Sequence, residues 1–312
     1  MGKIAFLCPG YGSQTVGMGV DFMGRYPWGA DFFEDAKATT GLDIFDLCMS
    51  GPDEELSQTQ NGQPCIVVTS LAVARALKER GIEPDCAAGL FEGEYAAHVI
   101  AGTIDVDSAL ELVARRGALM AMAAHVNKGQ MALLEGCDAR QAQELCEQFG
   151  NGQGATLAVS AYLDDQTTAV SGSVEALQAA VDAWKERSGH EASIFTGNVA
   201  ANCKLMRSAA TGMGMALKNT LFGPGEIPVY NNLDGARFDH MRSPEILGDQ
   251  ITSPVKWNVT IENMIADGVD VFIQCGPGSL ALDTAQRVAA KLGVKATFIK
   301  TASVEDVMFA KL

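Results

Sequence analysis

A chain of 312 residues is long enough for one large domain or for a large and a small one. Hydrophobic residues make up 47%, enough for a sizeable core, and the net charge of -15 argues against nucleic acid, whose phosphates need clustered cations. No run approaches the apolar length of a membrane helix, and the opening segment is broken by Pro9-Gly10 too soon for a secretory signal. The eight cysteines form no C-x-x-C pair and the four histidines show no metal-ligand spacing, which points to reduced, mostly buried thiols in a cytoplasmic protein without metal or cofactor.

In chain order, the apolar run Lys3–Cys8, closed by Pro9-Gly10, predicts a buried strand. Asp53–Ser57 predicts a helix start. Pro64–Arg80 predicts an amphipathic helix with a cationic last turn and a stop at Gly81. A short strand at Asp85–Ala88 runs into Gly89-Leu90-Phe91-Glu92-Gly93 and a helical stretch, Glu94–Ala101, followed by a second helix over Asp105–Ala123. The texture changes near Asn127. Strands at Gln130–Leu134, Thr156–Tyr162, Thr167–Ser171 and Glu191–Phe195 alternate with helices at Asp138–Phe149 and Ser173–Lys185, the β-α-β-β-α-β rhythm of a ferredoxin-like unit. Long-helix texture returns from Leu205, then strands at Pro228–Tyr230 and Val269–Gln274 and a helix over Leu280–Lys291. The expected fold is α/β. A hydrolase-like parallel-sheet body covers residues 1–126 and 197–312, and a small ferredoxin-like α+β subdomain is inserted at 127–196.

Strand, G-x-x-x-G, helix is the shape of a nucleophile elbow, in which a central serine sits on a strained turn and the flanking glycines avoid clashes with the crossing strand and helix. A glycine-rich strand-to-helix turn is also common in any α/β protein. The surroundings decide between the two. Pro9-Gly10-Tyr11-Gly12-Ser13-Gln14, the elbow with Glu94-Tyr95, Arg116-Gly117, Ala201-Asn202-Cys203-Lys204-Leu205-Met206, Pro254-Val255-Lys256-Trp257 and Gly276-Pro277-Gly278 occur in that order. Together these motifs resemble the malonyl-CoA:acyl-carrier-protein transacylase family over essentially the whole chain.

The family's opening motif reads P-G-Q-G-S-Q, its elbow G-H-S-x-G-E and its base motif S-H-x-x-L-M. The resemblance therefore puts the nucleophile position on Phe91, the preceding histidine on Leu90 and the general-base position on Asn202. The first glutamine falls on Tyr11, and an N-x-N pair falls on Ala161 and Leu163. Retained are Gln14, Gln250 at the base-orienting position, and Arg116, which in the family pairs with the malonyl carboxylate. Glu92 follows the elbow centre, where the family's backbone N–H is an oxyanion donor. Its carboxylate could pair with Arg116 or point to solvent.

Covalent acyl transfer needs an activated nucleophile and a base within hydrogen-bond reach. Phe91 has no heteroatom to offer, and Asn202 cannot take a proton near neutral pH. What the resemblance implies is therefore a degenerate paralogue that binds an acyl carrier protein, a CoA ester or another protein of fatty-acid or polyketide synthesis. The alternatives are an active acyl-carrier-protein S-malonyltransferase with a non-standard site, and a structural subunit. Lys204, Arg207 and Lys218 form a candidate basic patch for an acidic carrier, or are solvated helix cations. His98, four residues after Glu94, is expected to be an exposed or satisfied helix histidine. Without a hydroxyl to present, Phe91 is expected either to relax its turn or to pack its ring into the former acyl pocket.

Overall fold

The computed structural model describes residues 2–312. Its strands are β1 (Lys3–Cys8), β2 (Cys86–Gly89), β3 (Gly129–Glu135), β4 (Leu157–Tyr162), β5 (Thr167–Ser173), β6 (Ala192–Ile194), β7 (Val229–Tyr230), β8 (Val255–Lys256), β9 (Val269–Cys275) and β10 (Thr297–Thr301). They form two five-stranded sheets, ordered β10-β9-β1-β2-β7 and β6-β3-β5-β4-β8.

The first sheet is wholly parallel. Parallel strands covered by helices on both faces read as continuous apolar runs, which is why Lys3–Cys8 and Cys86–Gly89 are almost entirely buried. The register sets Cys8 beside Gly89, so the loops after β1 and β2 leave the sheet side by side at its carboxyl edge. That edge is where open α/β sheets hold their ligands.

The long helix Thr59–Glu79 crosses the core, and nearly every residue from Gly62 to Leu77 is buried. It begins five residues before the expected start at Pro64. Proline removes one interior hydrogen bond there, but the burial of apolar side chains along the helix outweighs that loss. The helix Val106–Val126 packs against it and is capped by Asp105, whose side chain accepts from the Ser108 N–H.

In the second sheet β3, β4, β5 and β6 pair antiparallel around their own cluster of Leu134, Leu145, Leu177, Val181 and Trp184. The helix Ala139–Gly150 opens on a full capping box, Asp138 with Gln141, and has a strongly apolar inner face. The strand order is that of a ferredoxin-like unit, as the rhythm of the sequence predicts. The two-residue strand β8 adds parallel to β4, joining a segment beyond residue 197 to this sheet. Arg287 bridges the same two regions through Asp164 at 2.6 Å.

The base motif does not lie on a long helix from Leu205. Lys204–Met206 is a 3₁₀ turn and the α-helix is Arg207–Asn219, which leaves Asn202 on the loop before both.

Candidate active site

The turn Leu90-Phe91-Glu92 joins β2 to the helix Gly93–Ile100 in the geometry of an elbow. Its glycines are required by contact. A Cβ on Gly89 would stand 1.9 Å from the Gly93 carbonyl carbon, and one on Gly93 would stand 2.4 Å from the Cys8 oxygen. Phe91 lies at φ 54°, a left-handed conformation that is an outlier for a bulky side chain and costs about 1–3 kcal/mol. The turn has therefore not relaxed. Its ring is 1% exposed, so of the two expected outcomes it is packing of the ring that occurs.

Asn202 is the only other non-glycine residue with positive φ among the described residues, at 57°. The two residues that the sequence resemblance sets at the nucleophile and base positions are thus the two non-glycine residues with positive φ among the described residues. Asparagine tolerates the left-handed region better than phenylalanine does. Asn202 Nδ2 donates to the backbone carbonyls of Gln250 at 2.7 Å and Ser253 at 3.2 Å, while its Oδ1 is buried without a partner.

Gln250 meets Asn202 through its backbone oxygen. The side-chain Nε2 instead donates to the Phe91 carbonyl at 2.9 Å and to Glu94 Oε2 at 2.7 Å. Glu94 Oε2 also accepts from the backbone N–H of Asn232 at 3.2 Å and from its side-chain amide, and Asn232 Nδ2 donates to the Gly89 carbonyl at 2.7 Å. Asn232, just beyond β7, is a site residue that the sequence reading missed. No local motif marks it, and only the sheet brings residues 89, 94, 232 and 250 together. Burial pushes the Glu94 carboxyl up to about 7, against the pull of the Asn232 and Gln250 donors.

Arg116, on the helix Val106–Val126, is 1% exposed. Its Nη1 donates to Gln63 Oε1 at 2.5 Å and lies 3.7 Å from Glu92 Oε2, which is equally buried. Burial raises the Glu92 carboxyl to about 7, and the Arg116 charge and the backbone N–H groups of Glu92 and Tyr11 pull it down. Oε1 of Glu92 and Nε of Arg116 complete no hydrogen bond. Of the readings open for these residues, the internal pair is the one observed.

Tyr11 is buried, and its hydroxyl donates to the carbonyls of Ser57 at 2.9 Å and Thr196 at 3.3 Å. Gln14 turns back on its own loop, accepting from the Gly12 N–H at 2.8 Å.

A model of the "Acyl transferase domain" family matches residues 5–305. The malonyl CoA-acyl carrier protein transacylases of Haemophilus influenzae and Escherichia coli K12 are 34% and 33% identical to the chain. The matches run over 295 and 300 residues, covering 94% of both chains in the first and 95% and 96% in the second. The chain belongs to the acyl transferase family. Among solved structures, the malonyl CoA-acyl carrier protein transacylase of Coxiella burnetii superposes with a TM-score of 0.90 at 27% identity, over 98% of this chain and 96% of that one. A malonyl-transacylase in complex with its type II polyketide acyl-carrier protein gives 0.89 at 30% identity, over 98% of each chain.

In this acyl transferase the other candidate groups are mostly buried. His98 is fully buried, with Nδ1 2.7 Å from Thr103 Oγ1 and the ring edge-on to Phe238. Burial lowers its pKa to about 3, so it is neutral and not exposed, and its Nε2 has no partner. The Cys203 and Cys86 thiols beside the site are raised to about 11 and about 12 by burial, far from reactive thiolates. The positions Ala161 and Leu163 are fully buried. Lys204, Arg207 and Lys218 are exposed. Among the described residues, five of the surface cavities, from 220 to 850 Å³, are lined by none of Phe91, Glu92, Arg116 and Asn202. Among the described residues no helix is long and apolar enough to cross a membrane, and no cluster of side chains could hold a metal ion.

Proposed function

We propose that this acyl transferase keeps the frame of the malonyl CoA-acyl carrier protein transacylases and not their serine-histidine chemistry. It serves fatty-acid or polyketide synthesis by binding, with an acyl carrier protein, a CoA ester or a partner enzyme as its ligand. The observation that carries this reading is the elbow centre itself, where a buried phenyl ring stands in place of a nucleophile, while the amide of Asn202, at the base position, donates to the Gln250 carbonyl. Losing either group of such a pair costs orders of magnitude in rate, and here both are absent. Residues 127–196 form the inserted subdomain in this reading, with residues 1–126 and 197–312 as the body. Phe91, Asn202 and Gln250 mark the former catalytic positions, and Arg116, Glu92, Tyr11 and Gln14 mark the former substrate positions.

A second reading is an active acyl-carrier-protein S-malonyltransferase with a non-standard site. The names of the relatives and their end-to-end coverage support it more directly than they support a loss of transfer. It leaves unnamed the group that would carry the acyl chain, because Glu92 is already engaged with Arg116.

Incubation with malonyl-CoA, followed by intact mass of the chain, separates the two readings. Unmodified protein supports binding without transfer, and a covalent malonyl adduct overturns it. Calorimetric titration with CoA esters and with acyl carrier protein then identifies the ligand.

A further inference from the structure

The site just described contains an anion of its own. Arg116 is a fully buried cation, and such a charge needs a counter-charge inside the protein or a bound one. Among the described residues the only carboxylate within ion-pair distance of it is Glu92, whose Oε2 stands 3.7 Å from Nη1. Glu92 is also the residue directly after the elbow centre. In an elbow, the backbone N–H at that position and a second N–H from a neighbouring loop face the oxygen of a reacting carbonyl. Here the residue at that position turns its own carboxylate toward Arg116 instead.

We propose that Glu92 is a built-in ligand of the acyl site. Its carboxylate occupies the Arg116 guanidinium, and so closes Arg116 to carboxylate-bearing acyl groups. The fit is looser than that of a free carboxylate. Glu92 Oε1 and Arg116 Nε are both buried without a hydrogen bond, as expected when a tethered side chain cannot reach the bidentate geometry that guanidinium prefers. A small carboxylate free to orient itself would satisfy both edges once the tether is removed. This inference rests on the reading that Arg116 stands at the family's carboxylate-binding position.

The test is calorimetric titration of malonate at pH 8 into the wild-type chain, Glu92→Ala, Glu92→Gln and the double variant Glu92→Ala/Arg116→Gln, with thermal melts of each. Glu92→Ala is expected to bind malonate at least about tenfold more tightly than wild type. Its melting temperature should rise with malonate where that of wild type does not. Both gains should vanish in the double variant. Wild type binding malonate as tightly as Glu92→Ala overturns the proposal, as does a folded Glu92→Ala or Glu92→Gln with no gain. If neither single variant folds alone, recovery of folded protein on refolding with malonate supports the proposal, and failure to recover it overturns the proposal. Malonylation of the wild-type chain in the mass experiment would overturn both the loss of transfer and this inference, whereas tight binding of malonate by a wild-type chain that stays unmodified would overturn this inference alone.

Discussion

Replacing Glu92 by glutamine should change how stability depends on pH, because the structure places two carboxyls in full burial with pKa values raised from an ordinary 4.5 to about 7. A carboxyl whose folded pKa is raised takes up a proton on folding between those two values. Its contribution is present below pH 4.5 and is lost as pH rises through 7. The slope is about -1.4 kcal/mol per pH unit for each group, or about 3 kcal/mol over the window. His98 opposes this. Its folded pKa of about 3 lies below the ordinary 6.5, so its contribution is lost as pH falls through that range. In the wild-type chain Glu92 and Glu94 together should therefore outweigh His98 by one proton between pH 5 and 6.5. Glu92→Gln removes one carboxyl, so the slope over that interval should flatten to near zero. The stability of Glu92→Gln relative to wild type should rise by about 3 kcal/mol between pH 4.5 and 8. Urea denaturation followed by circular dichroism at half-unit steps of pH measures both chains. A difference between them that stays constant with pH would refute the assignment of Glu92 as a buried, raised carboxyl.

Phe91 carries both a buried ring and a left-handed backbone, so Phe91→Ala should cost about 3–5 kcal/mol in urea melts. Phe91→Gly should be the more stable of the two by about 1 kcal/mol, reversing the usual order of alanine and glycine. Asn202→Ala leaves the carbonyls of Gln250 and Ser253 without their donor and keeps the positive φ, and should cost about 1–3 kcal/mol by the same measurement. Gly93→Ala drives a Cβ to 2.4 Å and 2.5 Å from the Cys8 and Pro9 oxygens, which are backbone atoms that cannot rotate away. The soluble yield and melting temperature of that variant should fall sharply, whereas Gly24→Ala, which meets nothing within 4 Å, should leave both unchanged.

Much of the fold is legible in the sequence where local chemistry and tertiary burial agree. β1 and the helix Leu280–Lys291 have the expected bounds, and the capping box at Asp138 marks its helix. The start at Thr59 is hidden because Pro64 is ordinarily a first-turn residue, and only the surrounding core reveals why it sits deeper. The edge strand β10 and the two-residue β8 carry too little apolar pattern to be seen without their neighbours. The site divides in the same way. The glycines of the elbow and Arg116 stand in recognisable motifs. Glu94 accepts from both Gln250 and Asn232, each more than a hundred positions away from it, and nothing in the sequence around Asn232 announces it.

The central claim is that the frame persists without its transfer chemistry. The most direct measurement is malonyl transfer from malonyl-CoA to acyl carrier protein by the wild-type chain and by the double variant Phe91→Ser/Asn202→His. The account predicts no transfer above background for the wild-type chain and measurable transfer for the double variant. Turnover by the wild-type chain that survives Phe91→Ala and Asn202→Ala would contradict it.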